Sequence, residues 1–162
     1  MGTEFYVTVE ATKQGRLKGE SPHEAHQDAL VGISFHYAVT SPRDVASGQA
    51  SGRRQHQPVD FVKQWGPASP QLFAAMVGNE VLKSVLFEFV RPDEQGGEIV
   101  FHTIRLTNAS ITAIEQFIKG DPEPPPTDPR PLEKISLTFQ RIEIENLDGQ
   151  TSATDDVTKG GR

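Results

Sequence analysis

Apolar and polar residues alternate with a period of two along five stretches of the chain, the pattern of half-buried β-strands. Phe5, Val7, Val9 and Ala11 share one face of the first stretch. Val31, Ile33, Phe35, Tyr37 and Val39 share one face of the second, which leaves Gly32, Ser34, His36 and Thr40 on the other. Val85, Phe87 and Phe89 repeat the alternation before a turn-rich segment from Arg91 to Gly97. Residues 98–107 then read as the returning strand of a hairpin, apolar on both faces and so expected to be buried on both. A further strand is expected over 110–119, ahead of GDPEPPPTDPRP, whose prolines supply no ladder donors and hold an extended, solvated loop. From Leu132 the longest strand sets Ile135, Leu137 and Phe139 on one face, then Ile142 and Ile144 on the opposite parity. That phase shift at Gln140 and Arg141 predicts a bulge or a sharp bend, the device by which long strands turn corners or switch sheets.

One helix interrupts this mostly β pattern. In ASPQLFAAMVGN, Ser69 is placed to cap it, Pro70 suits its first position and Gly78 its end, with Leu72, Ala75 and Met76 as the buried stripe. The loop from Thr40 to Gly52, TSPRDVASGQASG, is rich in small and turn residues and too long for a tight hairpin connection, so it is expected to be either disordered or used. After Leu147 the sequence DGQTSATDDVTKGGR has almost no apolar content and is expected to be mobile. The chain therefore divides into one domain over 1–148 and a polar tail over 149–162.

Composition narrows what this domain does. At 162 residues it is long enough to bury a core unaided, and with no cysteine it has neither disulfides, nor a thiolate metal site, nor a thiol nucleophile. Sixteen Lys and Arg against 22 Asp and Glu leave a formal charge of −6, which opposes broad contact with nucleic acid. The N-terminal MGTEFYVTVEATKQG has no basic region followed by an apolar run, and no segment approaches the roughly 20 apolar residues of a membrane span. We therefore expect no cleavable signal peptide, no membrane insertion and synthesis in the cytoplasm.

Candidate chemistry is sparse. His23 and His26 in HEAH lie three apart, whereas the zinc-protease pattern needs a spacing of four and a third ligand. His36 and His102 sit inside predicted strands. GQASGRR spaces two glycines like a phosphate loop, yet Arg53 and Arg54 stand where that loop requires Lys and then Ser or Thr. Asp60, Glu88 and Glu98 could meet as acid and base only if the fold joined them. GRRQHQPVDF, Gly52 to Phe61, concentrates two arginines, a histidine and an aspartate, and reads as a strand entrance in which Pro58 is tolerable at the edge. No catalytic residue, cofactor or metal ligand is assigned.

Read in order, RLKGES (Arg16 to Ser21), VGISFHYAV, GRRQHQPVDFVKQWGPASPQLFAAMVGNE (Gly52 to Glu80), VLFEFVR, FHTIRLTNASI and LEKISLTFQRIEIE resemble the haemolysin-coregulated protein (Hcp) family, the tube proteins of type VI secretion. The resemblance spans Phe5 to Glu145; the proline-rich insertion from Asp121 to Pro131 and the polar tail depart from it. It implies a compact β-barrel of two packed antiparallel sheets with one short α-helix on its side. It further implies a homohexameric ring, rings stacked head to tail inside a contractile sheath beneath a spike, and small effector proteins carried in the lumen. The tube would reside in the bacterial cytoplasm before firing and then be secreted into the medium or a target cell. No catalysis is implied, since only the short tail follows Leu147. By the same resemblance Gly32, Ser34 and His36 face the lumen, and Ser41, Pro42, Arg43, Asp44, Val45, Ala46, Ser47, Gly48, Arg53 and Arg54 form a subunit or ring-stacking loop. A closed ring would also cover strand edges and apolar outer faces. The competing reading is a free-standing β-barrel binding module, or an enzyme sharing the barrel.

Overall fold

A computed structural model describes residues 5–118 and 130–159. The strands are β1 (Phe5–Ala11), β2 (Gly15–Arg16), β3 (Leu30–His36), β4 (Val39–Thr40), β5 (Gln55–His56), β6 (Val59–Gln64), β7 (Leu82–Pro92), β8 (Glu98–Ile118), β9 (Pro131–Thr138), β10 (Arg141–Asn146) and β11 (Thr151–Asp156), with helix α1 (Ala68–Val77) between β6 and β7. Nine strands make one hydrogen-bonded network in the order β11, β10, β8, β7, β1, β3, β6, β9, with β2 beside β1; β4 and β5 form a separate ribbon. Because β8 also pairs β9, the antiparallel ladders make a circuit through β8, β7, β1, β3, β6 and β9. The first half of β8 serves one sheet and the second half the other, which yields the expected barrel of two packed sheets.

The two strands expected over 98–107 and 110–119 are thus one strand with a bend. Asn108 takes a left-handed φ of 52°, which Asn tolerates better than most residues, and its Nδ2 donates to Gln140 Oε1 at 3.1 Å. Gln140 is where the sequence shifts phase, and there the chain leaves β9, which pairs β6 and the second half of β8, for β10, which pairs the first half. Both breaks therefore lie at one corner, joined further by Gln140 N donating to Thr107 O at 3.2 Å.

Inside, Phe5, Val7, Val9, Phe61, Phe87, Leu106, Ile135 and Leu137 form the core. Phe87 meets Phe35 and Phe61 edge-on, with centroids 5.1 and 5.5 Å apart, the arrangement aromatic rings prefer. Each buried ring stabilises the barrel by about 1.5–3 kcal/mol. Helix α1 packs on β8 through Ala68, Leu72 and Ala75, with Met76 half-buried, while Phe73 and Val77 stay exposed. It begins at Ala68, before the expected Ser69 cap, because the Ser69 hydroxyl instead accepts from Gly66 N and donates to Glu133. It ends at Gly78 as expected, and the left-handed residue that follows is Asn79, at φ 53°.

Three expectations are corrected. First, β3 carries one extra residue against β6 between Gly32 and Ser34, a bulge that reverses the faces. Gly32 is consequently buried, and a Cβ there would lie 2.1 Å from the Phe5 ring; it does not share the open face with Ser34 and His36, which are exposed. Second, 98–107 buries only one face, through Ile104 and Leu106, while Ile99 and Arg105 are exposed. Third, residues 151–156 of the expected mobile tail are β11, paired with β10 from Arg141↔Asp156 to Asn146↔Thr151. Val157 then packs against the core and donates its N–H to Gln140 O at 2.8 Å, so a boundary at 148 falls inside a hairpin. The proline-rich stretch lies mostly outside the described residues; Pro131 opens β9, a strand position that needs no ladder donor.

Candidate functional site

The loop between β3 and β6 is an ordered arm. Val39 pairs His56, Thr40 pairs Gln55, Ser51 N donates to Pro42 O at 3.0 Å, and Arg43 bridges Ala50. Asp44 closes the tip: its N–H donates to Gln49 O at 2.7 Å, and its Oδ1 accepts from Ala46 N at 2.8 Å and Ser47 N at 3.2 Å. Gly48 supplies the left-handed turn residue, with φ 73°. From Val39 to Arg53 every residue except Pro42 is exposed, and Val45 at the tip is completely so. Among the described residues, the hydrogen bonds of 41–51 stay within the arm.

The arm meets the barrel at its base. Arg54 clasps Asp155 of β11 through two guanidinium nitrogens. His56 Nε2 lies 2.6 Å from the same carboxylate and Nδ1 lies 2.7 Å from the Tyr37 hydroxyl. Asp155, when ionised, accepts from Nε2, and the Tyr37 hydroxyl engages the other ring nitrogen. The imidazole stacks on Tyr37, both rings meet Phe139 edge-on, and Arg53 Nη2 donates to Val157 O at 3.4 Å. The Arg54 hydrogen bond above all, then that from His56, holds Asp155 below the usual carboxylate range, at about 2. Burial, and secondarily the Asp155 charge, pushes the Tyr37 phenol up. Asp155, His56 and Tyr37 thus form one hydrogen-bonded chain at the arm's base, and the same carboxylate also holds Arg54. Arg53 and Arg54 both contact the C-terminal segment of their own chain.

A second polar cluster lies under α1. Lys63 Nζ is buried and reaches Glu133 Oε2 at 3.1 Å, Gln64 O at 2.6 Å and Glu20 Oε1 at 3.5 Å. Ser69 Oγ donates to Glu133 Oε2 at 2.6 Å and Gln116 Nε2 to Oε1 at 3.1 Å, while Glu20 Oε2 accepts from Val31 N at 2.7 Å. RLKGES, FVK, the helix-start serine and LEK therefore meet in one place. The sequence pattern singled out these motifs but not their meeting. Their spacing carries the signal: Lys63 follows Val59 and Phe61 at intervals of two, and Glu133 precedes Ile135 and Leu137 in the same way, so both face inward.

Of the remaining candidates, His23, His26, Glu88 and Glu98 gather around Tyr6, whose hydroxyl donates to Glu98 Oε1 at 3.2 Å, with the two imidazole centroids 5.6 Å apart. His26 stacks on Tyr6, 4.0 Å between centroids, and lies 3.4 Å from Glu88; His23 lies 3.6 Å from Glu98. Glu88 and Glu98 thus meet histidines, while Asp60 sits opposite His36 in the β3–β6 ladder. His102 contacts Asn146. Among the described residues no group of three or more His, Asp or Glu could hold a metal ion, and no helix is long and apolar enough to cross a membrane.

These features define a small two-sheet β-barrel bearing a projecting β-arm. Residues 6–145 match the family model described as "Type VI secretion system effector, Hcp", and the chain belongs to this family. It is 30% identical over 165 residues to the "Major exported protein" of Pseudomonas aeruginosa, covering 96% of each chain. A crystal structure of an Hcp protein superimposes with a TM-score of 0.83 at 28% identity, covering 94% of this chain and 98% of the other. The secreted protein Hcp3 from Pseudomonas aeruginosa superimposes at 0.77 with 25% identity, covering 95% and 97%.

Proposed function

We propose that the chain is the inner-tube subunit of a type VI secretion machine. Six copies close into a ring, rings stack into a tube within a contractile sheath, and the tube is expelled beneath its spike with small effector proteins in the lumen. The family membership supports this reading, and the observation that carries it is the arm: an ordered ribbon with local hydrogen bonds and a fully exposed Val45 at its tip, shaped to contact another copy. Residues Ser41 to Gly48 contact the neighbouring subunit or ring, and Ser34 and His36 line the lumen. The protein acts by assembly rather than catalysis, takes no cofactor, and passes from the bacterial cytoplasm to the exterior; the exported relative supports that route.

Light scattering behind a sizing column, with negative-stain imaging, tests the reading: six-fold rings are expected, and a monomer at high concentration would overturn it. Ser34→Arg should leave rings intact while reducing co-purification of a co-expressed effector. Unchanged retention would remove Ser34 from the lumen.

A further inference from the structure

We infer that Asp155, in the C-terminal strand, is the positioning residue of the arm, so that the last strand of the chain sets the direction in which the arm projects. The inference rests on the proposed reading only in taking the arm as the assembling element.

The argument starts from what the arm lacks. Its own ladder amounts to β4 and β5, two residues each and separate from the barrel's sheets, and an isolated two-stranded ribbon is marginal in water. Apart from Pro42, its side chains from Thr40 to Arg53 are exposed, so they contribute little packing that would fix its angle. Orientation must therefore come from the base, where Tyr37 enters the arm and Arg54 and His56 leave it. One carboxylate joins this base to the rest of the molecule: Asp155 accepts from Arg54 and His56 together, and His56 in turn holds Tyr37. Arg53, through Val157 O, reaches the same C-terminal segment.

By composition β11 is otherwise a poor strand, and the reason it exists follows from the same contact. Thr151 to Thr154 are all exposed and bury no apolar side chain; what β11 delivers to the fold is Asp155 and, just beyond, Val157. An edge strand made of polar residues is poor at recruiting other chains, yet suits an anchor post. Loss of Asp155, by truncation or by substitution, should therefore reach assembly through the arm.

Hydrogen exchange read by mass spectrometry on the intact protein tests this. Asp155→Ala should raise exchange of residues 38–57 by about tenfold or more while residues 5–11 and 85–89 keep their protection, and the fraction of chain in rings should fall. Asp155→Asn, which keeps the shape and loses the charge, should loosen the arm to an intermediate extent, and Asp155→Glu should restore most of its protection. Ser152→Ala, in the same strand, should change nothing. Should Asp155→Ala not fold, the Asn and Glu variants carry the same comparison. Arm exchange equal to wild type in Asp155→Asn, or no recovery in Asp155→Glu relative to Asn, would overturn the inference. Absence of rings in the wild-type protein would instead remove the assembly reading and leave the arm's exchange to be judged by itself.

Discussion

Two ion-paired clusters join distant parts of this chain and do opposite work. Under α1, Lys63 and Glu133 side chains are 0% and 1% exposed, whereas Arg54 and Asp155 at the arm's base are 29% and 28% exposed. Burying a charge costs several kcal/mol, so the inner pair survives only with Ser69, Gln116 and the Gln64 carbonyl satisfying it, and removal of any partner should propagate through both sheets. The outer pair keeps part of its hydration and can loosen without exposing the core. A rigid fold needs the first kind of contact; an adjustable arm needs the second.

The largest effect should come from Glu133→Ala, which leaves the buried Lys63 ammonium with the Gln64 carbonyl and a more distant carboxylate, Glu20 at 3.5 Å. A loss of about 3–5 kcal/mol is expected, lowering the melting temperature by roughly 6–20 °C. Lys63→Met combined with Glu133→Leu should recover most of it. A single substitution costing under about 1 kcal/mol would erase the contrast between the clusters.

Asp155→Ala should come next, at about 1–3 kcal/mol, since it removes charge-assisted hydrogen bonds that water partly replaces. Denaturant titration of both variants ranks them directly, and a greater loss at Asp155 than at Glu133 would invert the comparison.

Acid offers a finer probe. The folded-state pKa of Asp155, about 2, lies below its ordinary 3.8, so its contribution is fully present above about pH 4 and is lost as pH falls through 2. The groups facing it are Arg54 and His56 directly, with Tyr37 beyond His56 and Arg53 nearby; Asp156 follows it and pairs Arg141 across the ladder. Resonances of Arg54 and His56 at the arm's base should shift across that window in wild type and lose that shift in Asp155→Asn; identical titrations there would detach Asp155 from the arm.

Smallest of all is salt. Raising ionic strength from about 0.1 to 1 M shortens the screening length from about 10 Å to 3 Å, so Arg54–Asp155 should weaken slightly and Lys63–Glu133 should not change measurably. A double-mutant cycle on each pair at both salt concentrations measures this.

Much of the barrel was legible because alternation reports burial on a pleated strand directly, and the motif order carried the family. The inner cluster was half legible: the parity of Lys63 and Glu133 points inward, but nothing local says that they meet. The arm's length marked it as either disordered or used, while its ordered ribbon depended on Asp44 and Gly48 closing the tip. The face of Gly32 was misread because a bulge at Ile33, invisible in the hydrophobic pattern, shifts the register by one. β11 was missed because ladder hydrogen bonds, which have no sequence signature, hold its polar residues.

Local chemistry indicated most of the strands and where the helix lies, since both follow from side-chain polarity and spacing within a few residues, whereas the family came from the order of motifs along the whole chain. Long-range pairing decided the rest. It made one bent strand of 98–118, turned the polar tail into an edge strand, and brought Asp155 to Arg54 across 101 positions. Such contacts depend on register and chain path through the whole barrel, which no local pattern encodes.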